Sequence, residues 1–554
     1  MSRVASVLWY AQAMASLARL VNRPRSLQEM RAIVKQRLET REERFLAAAA
    51  RCIFGHPRSP YLELLRHAGC ESGDLALMVR QRGLEPTLEH LRREGVYLSF
   101  DEFKGRADVT RNGRTFRFSE HDFDNPFLGA GLQMRTGGTR SRGSPVSVGL
   151  RFVEEHMSLG VHLSLAAMGA VGLPTVLWTA GLAASGGYLG WVHAGHPPVR
   201  WFTMHDPNEP SVPARNRIVH RMARVLALWR GVRLPLPEFT PLSTPEPVLA
   251  TLLAQRDHRG GCVMMASPSA AVRLAALARS RGVSLRGVVF IAGGEPLTPG
   301  KAAEIRGAGA QIGSLYGFTE GGPGAVPCGD PQAPDDMHFL TCDLALILHR
   351  RPVVEVGELD SLMLTSLSTV HPKIMLNVEI DDFAMVETRH CGCPLDELGL
   401  HQHLTYLRSF TKLTGEGSTI LGTDCVRILE EVLPREFGGR SIDYQLLEVE
   451  DEHHLTRLFL LVSPEVGPVD ERRVLDRFIA EVRARTSQGL RMWRQAETVQ
   501  VIRRHPVATP RGKVLPFHTQ ALAAFLGPGA PGAAGLLPAR PIGESAGVRA
   551  GPIT

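Results

Sequence analysis

The stretch YGFTEGGPGAVPC, residues 316–328, brings together an aromatic ring, a hydroxyl, a carboxylate and a cysteine. It follows the short apolar run QIGSL, so we expect it at the carboxyl end of a β-strand, where parallel α/β sheets bind ligands. Thr319 could then donate a hydrogen bond to a phosphate, and Glu320 could hold Mg²⁺ against that phosphate. Taken alone, these residues are more typical of an exposed glycine-rich turn with a solvated glutamate.

Three further segments have residues suited to phosphate chemistry. RTGGTRSRGSPV, residues 135–146, has backbone NH groups and hydroxyls that could cradle phosphate oxygens, although no GK[ST] closes it and a flexible surface loop fits equally well. GGEPLTPG, residues 293–300, follows the apolar run VVFIA, and its glycines would let a ligand approach the backbone closely. Lys513 stands in HPVATPRGKVLPF, a predicted loop that could carry the ammonium on a mobile arm, although a lone loop lysine is normally surface decoration.

The elements that position these segments fall into four regions. Residues 1–95 have apolar positions at helical spacing and predict an N-terminal helical region. Residues 96–411 alternate between apolar runs and amphipathic segments; GCVMMASPS before AAVRLAALARSRG, and RGVVFIAGG before TPGKAAEIRGAG, predict strand, turn and helix twice over. This pattern indicates parallel strands joined by crossover helices, and therefore an α/β core.

After residue 411 the pattern changes. CVRILEEVLPREFG and DERRVLDRFIAEVRARTSQGL predict two helices, and YQLLEVE with HLTRLFLLVSPE predicts paired strands, so residues 412–525 form a small α+β domain. Residues 526–554 are rich in Pro, Gly and Ala and are predicted to be disordered.

Bulk composition excludes several classes of protein. With 63 basic and 56 acidic residues among 554, the net charge is +7, but no basic run is interleaved with aromatics, so nucleic-acid binding is not indicated. The eight cysteines are scattered along a long chain, which favours reduced thiols or a metal, and with them a cytoplasmic location, over a disulfide framework. Residues 158–192 are apolar but contain a proline, a histidine and many glycines, which favours a buried core over a membrane span.

The order of the segments is specific. A glycine-rich hydroxyl loop is followed by GGEP, then YGFTE, then GELD with an apolar strand, and finally a PxGK-type loop in a small domain. This order resembles the adenylate-forming enzymes, and most closely their phenylacetate–CoA ligase-like branch, over about residues 100–520. The resemblance implies an α/β fold with a large multi-layer adenylate-forming domain and a smaller α+β C-terminal lid domain. It also implies Mg²⁺-dependent attack of a carboxylate on the α-phosphate of ATP, giving an acyl-adenylate and pyrophosphate.

The resemblance also assigns roles to single residues. Five residues would form the phosphate loop: Thr136, Gly137, Gly138, Thr139 and Gly143. Six would surround the base, with Tyr316 packing on it: Gly293, Gly294, Glu295, Pro296, Tyr316 and Gly317. Thr319 would bind the α-phosphate and Glu320 would hold Mg²⁺. Asp382 would bind the ribose hydroxyls, and Lys513 would bridge the carboxylate and the phosphate.

The chain also departs from the family pattern at three places. The phosphate loop ends in GSP rather than Gly-Lys-Pro, after an apparent insertion containing Arg140 and Arg142. EIDD stands where the family has RTGD, and KLTGEGST, residues 412–419, occupies the place of the interdomain hinge. These changes bear on the affinity for ATP and on the domain rotation that would separate adenylation from acyl transfer.

Three cysteines and a histidine follow the opening stretch: Cys328, His338, Cys391 and Cys393. Thiolates with one imidazole are a normal tetrahedral zinc set, although the spacing is not that of a zinc finger. The family branch that the chain resembles often carries a similar arrangement, which implies a structural zinc ion holding the loop after YGFTE. Free buried thiols are the competing interpretation. His390 could replace one ligand.

These observations together predict an ATP-dependent ligase that acts on an aromatic or fatty carboxylate. Coenzyme A is the expected acyl acceptor, with a carrier-protein thiol, another acceptor protein or an amine as alternatives. A second hypothesis is a non-catalytic adenylate-forming fold that binds a nucleotide or acyl group as a partner protein. A third is acyl transfer from a preformed donor, as in acyl-protein synthetases.

Overall fold

The computed structural model of the chain describes residues 3–135, 145–179, 185–207, 214–353, 357–410, 412–415, 418–450, 454–483, 499–506 and 516–518. The glycine-rich loop at 136–144, Lys513 and the C-terminal segment 526–554 lie outside these ranges, so the roles predicted for them remain predictions. Among the described helices, none combines the length and the apolar character needed to cross a lipid bilayer.

The chain begins with six helices: α1 (Arg3–Asn22), α2 (Leu27–Glu39), α3 (Arg41–Ala49), α4 (Pro60–His67), α5 (Ser72–Arg82) and α6 (Leu84–Arg93). Helix α2 starts at a reciprocal cap, in which the Ser26 hydroxyl accepts from the Glu29 NH and the Glu29 carboxylate accepts from the Ser26 NH. Apolar residues of α3 to α6 share one buried core with strands from residues 344–384. Helices α3 to α6 therefore pack against the large α/β domain and share its core.

A helical turn, two hairpins and a long helical run follow. They are α7 (Phe100–Phe103), β1 (Val109–Arg111) with β2 (Arg114–Phe116), β3 (Gly131–Arg135) with β4 (Pro145–Gly149), α8 (Leu150–Phe152) and α9 (Ser158–Ala167). A π-helical turn, Val153–Met157, joins α8 to α9. Arg135 pairs with Pro145 at the last register position of the β3–β4 hairpin, so the predicted phosphate loop connects these two strands.

Six parallel strands alternate with helices as the sequence predicts. The order is β5 (Thr175–Thr179), α10 (Ser185–His193), β6 (Arg200–Thr203), α11 (Ala214–Leu228), β7 (Pro237–Phe239), α12 (Glu246–Arg259), β8 (Cys262–Ala266), α13 (Pro268–Ser280), β9 (Val288–Gly293), α14 (Pro299–Gly307) and β10 (Gln311–Phe318). Separate apolar clusters cover the two faces of these strands, as expected for a doubly covered parallel sheet.

Antiparallel strands extend the same sheet beyond β10. They are β11 (Gly322–Pro327), β12 (Met337–Phe339), β13 (Leu344–Val353), β14 (Gly357–Ser366), β15 (Val378–Thr388) and β16 (Gln402–Ser409). The twelve strands lie in the order β13-β14-β15-β16-β12-β11-β10-β9-β8-β5-β6-β7. Strand β10 pairs in parallel with β9 and antiparallel with β11, so the sheet changes from parallel to antiparallel pairing at the strand that carries Tyr316.

The C-terminal part is a smaller α+β unit. It contains β17 (Lys412–Gly415), β18 (Ser418–Leu421), α15 (Gly422–Arg427), α16 (Leu433–Phe437), β19 (Tyr444–Glu450), β20 (Thr456–Val462), α17 (Glu471–Arg483), β21 (Val499–Arg503) and β22 (Phe517–His518). Strands β19 to β22 form a four-stranded sheet. CVRILEEVLPREFG, predicted as one helix, instead contains a π-helical turn at Ile428–Val432 between α15 and α16. Pro434 has no NH to donate to Glu430, so a regular α-helix cannot continue there.

Candidate active site

A tight turn between β10 and β11 positions the central motif. Tyr316 lies within β10, and Thr319, Glu320 and Gly321 form the turn, where the Gly321 NH donates to the Phe318 carbonyl. The predicted position at the carboxyl end of a parallel strand is confirmed. Gly322 begins β11 with a φ of +73°, and a Cβ there would lie 2.5 Å from the Phe152 ring, so only glycine fits.

Tyr316 and Asp382, 66 residues apart, meet at a hydrogen bond. The Tyr316 hydroxyl donates to Asp382 Oδ2 at 2.9 Å, and the Ser409 hydroxyl donates to Asp382 Oδ1. Strand pairing places Ser409 of β16 opposite Asp382 of β15. Burial, together with the neighbouring Asp382 carboxylate, raises the pKa of Tyr316 well above its usual value, so the phenol keeps its proton and remains a donor.

Glu320 forms a buried ion pair that sequence reasoning missed. Its carboxylate accepts a hydrogen bond from Lys104, whose Nζ also lies 2.9 Å from Glu120 Oε1. Burial opposes the ionisation of Glu320, but the Lys104 ammonium holds the pKa of Glu320 below its usual value. Glu320 is therefore a carboxylate at neutral pH.

The ionic network continues away from Glu320 through a second buried lysine. Lys373 donates to the Glu120 carbonyl at 2.7 Å and to Asp124 Oδ1 at 2.6 Å. Lys104 and Lys373 are 5% and 1% exposed in their side chains, so both charges are held inside the protein. Lys104 follows the short helix α7 in sequence, and no local pattern marks it as a partner of a residue 216 positions away.

The GGEP segment lies at the carboxyl end of β9, one strand from the motif. Gly293 ends that strand and Gly294 has a φ of +90°, whereas the Glu295 side chain points into the core. Glu295 accepts from the backbone NH of Ser269 and lies 3.7 Å from Lys301 Nζ. Glu295 therefore joins α13 and α14, while the glycines and Pro296 lie at the carboxyl edge of the sheet.

The C-terminal unit reaches this edge. Thr298, the N-cap residue of α14, donates to the carboxylate of Glu450 at the end of β19, and Lys301 Nζ donates to Thr456 Oγ1 at 2.9 Å. His454 Nδ1 lies 2.8 Å from Glu450 Oε1. The small domain thus contacts the segment that follows GGEP, as expected for a lid.

The three cysteines and the histidine come together as predicted. Their four candidate ligand atoms all lie within 4.8 Å of one another. The Sγ atoms of Cys328 and Cys391 are 3.7 Å apart, and His338 Nε2 lies 3.6 Å from Cys391 Sγ and 3.1 Å from Cys393 Sγ. Tetrahedral zinc with Zn–S bonds of about 2.3 Å requires S···S separations of about 3.8 Å, so the set fits the ion.

Surrounding groups orient this cluster. His338 Nδ1 lies 2.6 Å from the Leu400 carbonyl, which places the proton on Nδ1 and leaves Nε2 for a metal. A hydrogen bond from the Cys328 thiol holds the pKa of Cys393 far below that of a free thiol. A metal-binding thiolate is thus already favoured. The cluster connects the end of β11 to the loop after β15.

His390, the alternative ligand, instead belongs to a neighbouring cluster. His390 Nδ1 and His401 Nδ1 lie 3.0 and 2.6 Å from Asp396 Oδ1. His403 and Asp336 are fully buried, with His403 Nδ1 2.8 Å from Asp336 Oδ1, and together with Cys328 they form a second group of candidate metal ligands beside the first.

Comparison with known proteins supports the fold. No protein-family model matches the chain, and no curated protein matches it. The chain is similar in structure to 2-hydroxyisobutyryl-CoA ligase bound to 2-HIB-AMP and CoA, with a TM-score of 0.54 and 14% identity over 88% of this chain and 90% of that one. Amide bond synthetase McbA from Marinactinospora thermotolerans has 14% identity over 82% of this chain and 91% of that one, with a TM-score of 0.38. MbtA from Mycobacterium smegmatis has 15% sequence identity over 91% of this chain and 93% of that one, with a TM-score of 0.30.

The similarity to the CoA ligase, at 90% coverage of that protein, shows that this chain shares the fold of that ligase. The resemblance read from the motif order and the predicted α/β class with a smaller C-terminal α+β unit are confirmed at the level of fold.

Proposed function

We propose that this protein activates a carboxylic acid with ATP, forms an acyl-adenylate and releases pyrophosphate, and then transfers the acyl group to the thiol of coenzyme A. One observation carries the proposal: the hairpin residues Tyr316 and Glu320 and the distant Asp382 are brought to one edge of a sheet with the ligase fold. Ligands bind at such carboxyl edges because loops and free backbone groups converge there.

Each residue suits the task proposed for it. The Asp382 carboxylate accepts from Tyr316 and Ser409, which fixes its orientation toward the ribose hydroxyls it would bind. Thr319 would donate to the α-phosphate from the turn. Glu320 is ionised, as a magnesium ligand must be, and the ion would neutralise charge on the phosphates when bound. Mg²⁺ would share the Glu320 carboxylate with Lys104.

The remaining roles rest on the resemblance and on the flanking structure. The loop from Thr136 to Gly143 connects β3 to β4 and would hold the triphosphate through its backbone NH groups. Lys513 would approach from the C-terminal domain, which contacts α14 through Glu450. The zinc ion proposed for the Cys328 cluster would hold the end of β11 in place without taking part in the reaction.

The substrate and the acceptor are proposed by class. The proposed substrate is an aromatic or fatty carboxylate. Most of the apolar segment 158–182 packs into the core, with Leu159, Leu177 and Trp178 at most 1% exposed, so only part of it could line an acyl pocket. Coenzyme A is the acceptor named for the structurally similar ligase. A carrier or acceptor protein thiol would use the same chemistry. The proposal includes a cytoplasmic location, which free cysteines scattered along a long chain support.

A second candidate is a fold that binds a nucleotide without reacting. It is favoured by the Lys104–Glu320 ion pair, because an ammonium already neutralises the carboxylate proposed for Mg²⁺.

The test is exchange of labelled pyrophosphate into ATP with separate pools of aromatic and fatty acids. We expect carboxylate-dependent exchange in the parent, loss in Lys513→Ala and in Asp382→Asn, and retention in Lys35→Ala, a change at an exposed position of α2. No exchange with any pool, in folded protein that binds ATP, would instead support the second candidate.

A further inference from the structure

Four buried or half-buried side chains form a hydrogen-bonded chain outside the site described so far. His156 Nδ1 lies 2.7 Å from Asp343 Oδ2, and His156 Nε2 lies 3.1 Å from Ser368 Oγ. His371 Nδ1 lies 3.0 Å from the same hydroxyl. Asp343, His156 and His371 are at most 2% exposed, whereas Ser368 is half-buried. Aspartate, histidine and serine are thus linked in the order used by serine hydrolases and acyltransferases.

The hydrogen bonds fix the proton positions. Arg37 donates to Asp343 Oδ1 at 2.6 Å, leaving Oδ2 to accept from His156. Burial opposes ionisation of Asp343, but Arg37 and His156 hold the pKa of this carboxyl far below its usual value. His156 Nδ1 therefore carries a proton and donates it to Asp343, so Nε2 is an acceptor facing Ser368.

His371 completes the arrangement from the other side. Because the single Ser368 hydroxyl proton points to His156, His371 Nδ1 acts as a donor, with Ser368 Oγ at 3.0 Å and the Ser368 carbonyl oxygen at 3.4 Å as its two acceptors. Burial lowers the pKa of both imidazoles despite the nearby Asp343, so both are neutral at pH 7. A neutral base faces the hydroxyl proton, and a donor faces Ser368 Oγ, where negative charge grows as that proton leaves.

The local backbone also sets this group apart from ordinary core contacts. His156 lies in the π-helical turn Val153–Met157, a distortion often found at functional sites. Ser368 lies in the loop between β14 and β15 rather than in a regular strand. Phe152 stacks on His156 with ring centroids 5.0 Å apart and touches Gly322 at the start of β11. The hydrogen-bonded chain of Asp343, His156, Ser368 and His371, called the relay below, is therefore linked through Phe152 to the turn that carries Glu320.

We propose that Ser368 is a nucleophile that accepts an acyl group from activated carboxylic esters and forms an acyl-enzyme. Ser368 Oγ would bond to the carbonyl carbon while its proton passes to His156 Nε2. The bond between that carbon and the leaving oxygen would break, and the leaving group would depart with the electron pair and take the proton from His156. Water would then attack the ester with His156 again as the base, releasing the acid and restoring Ser368.

This activity requires no ATP, so it stands or falls separately from the adenylation proposed above. Its substrates are carboxylic esters and mixed anhydrides with good leaving groups. An acyl-adenylate formed at the neighbouring hairpin belongs to that class, and its leaving group would be AMP.

A fluorophosphonate probe tests for the nucleophile, because it phosphonylates serines activated by a neighbouring base. We expect the intact mass of the full-length protein to rise by one phosphonyl group, with fragmentation placing it on Ser368. Ser368→Ala has no hydroxyl oxygen to phosphonylate and should carry no label at residue 368. Thr369→Ala, which removes the adjacent hydroxyl outside the relay, should react like the parent.

His156→Gln separates activation from mere exposure, because Ser368 remains in place without its base. We expect phosphonylation, and the initial burst of p-nitrophenol from p-nitrophenyl butyrate, to fall at least about 100-fold in a protein with the parent circular-dichroism spectrum. Equal labelling of His156→Gln and the parent, a label on another serine, or no label on the parent would each overturn the proposal. The site of the label on the parent decides the matter even if a variant fails to fold.

Discussion

Replacing Lys104 with methionine tests the buried ion pair at Glu320. The side chains of Lys104 and Glu320 are 5% and 10% exposed, so removing the ammonium leaves a nearly buried carboxylate without its charge partner. The contact of Lys104 Nζ with Glu120 at 2.9 Å alone is worth roughly 6 kcal/mol of gross attraction at an effective dielectric constant of ~20. Desolvation offsets part of this, and breaking a buried pair typically lowers the free energy of unfolding by about 3–5 kcal/mol.

Urea unfolding followed by tryptophan fluorescence gives the free energy of unfolding for Lys104→Met and the parent. The double variant Lys104→Met, Glu320→Gln removes the more deeply buried of the two carboxylates that lose Lys104, while Glu120 keeps its charge, and should recover at least about 1.5 kcal/mol of the loss. Lys35→Met, at an exposed position, should stay within about 0.5 kcal/mol of the parent. A loss below about 1 kcal/mol in Lys104→Met, with no recovery in the double variant, would refute the reasoning.

The same pair has a pH dependence whose sign follows from the pKa of Glu320. A carboxyl whose folded pKa is lowered stabilises the fold above its unfolded pKa of about 4.3, and this contribution is lost as pH falls through the folded value. Lys104→Met loses that contribution at pH 7. The difference in unfolding free energy between parent and variant should therefore shrink as the pH falls below the unfolded pKa of about 4.3, and a difference that stays constant there would contradict the account.

Two further predictions concern the cysteine and histidine cluster and the hydrogen bond between Tyr316 and Asp382. Purified protein should contain one zinc ion per chain by elemental analysis. Cys391→Ser should contain much less zinc and unfold at a lower temperature, whereas Cys425→Ser, at a buried cysteine outside the cluster, should keep its zinc. Parent protein without zinc would contradict this prediction. Tyr316→Phe removes one donor to Asp382 and should weaken ATP binding, measured by calorimetry, by about 1.5–3 kcal/mol, whereas unchanged affinity would show that this hydrogen bond does not organise the site.

The sequence predicts those features that are carried by local patterns. The strand, turn and helix from Cys262 to Gly307 follow from apolar runs and cap residues, and the Tyr316 turn is marked by its glycines. The Cys328 cluster is predicted from residue types that zinc prefers together with the family resemblance, because Cys328 and Cys391 lie 63 residues apart. In these cases the residue type and the neighbouring residues carry the information.

Contacts between residues far apart in the sequence could not be predicted in this way. Lys104 meets Glu320 across 216 residues, and His156 meets Ser368 across 212, with no spacing rule that links them. Individual lysines, histidines and serines are common on surfaces, so their types predict no contact. The π-helical turn at Val153–Met157 likewise has no residue signature comparable to a proline or glycine. Only the assembled sheet and the helices against it bring these groups together.

Transfer of carboxylate oxygen to AMP tests adenylation most directly. If the carboxylate attacks the α-phosphorus and the acyl group is then taken by a thiol, one carboxylate oxygen leaves with AMP. Incubating the protein with ATP, Mg²⁺, coenzyme A and a carboxylate labelled with ¹⁸O should therefore give AMP heavier by one ¹⁸O substitution. Label in inorganic phosphate together with ADP would contradict the account, since it would require attack at the γ-phosphorus.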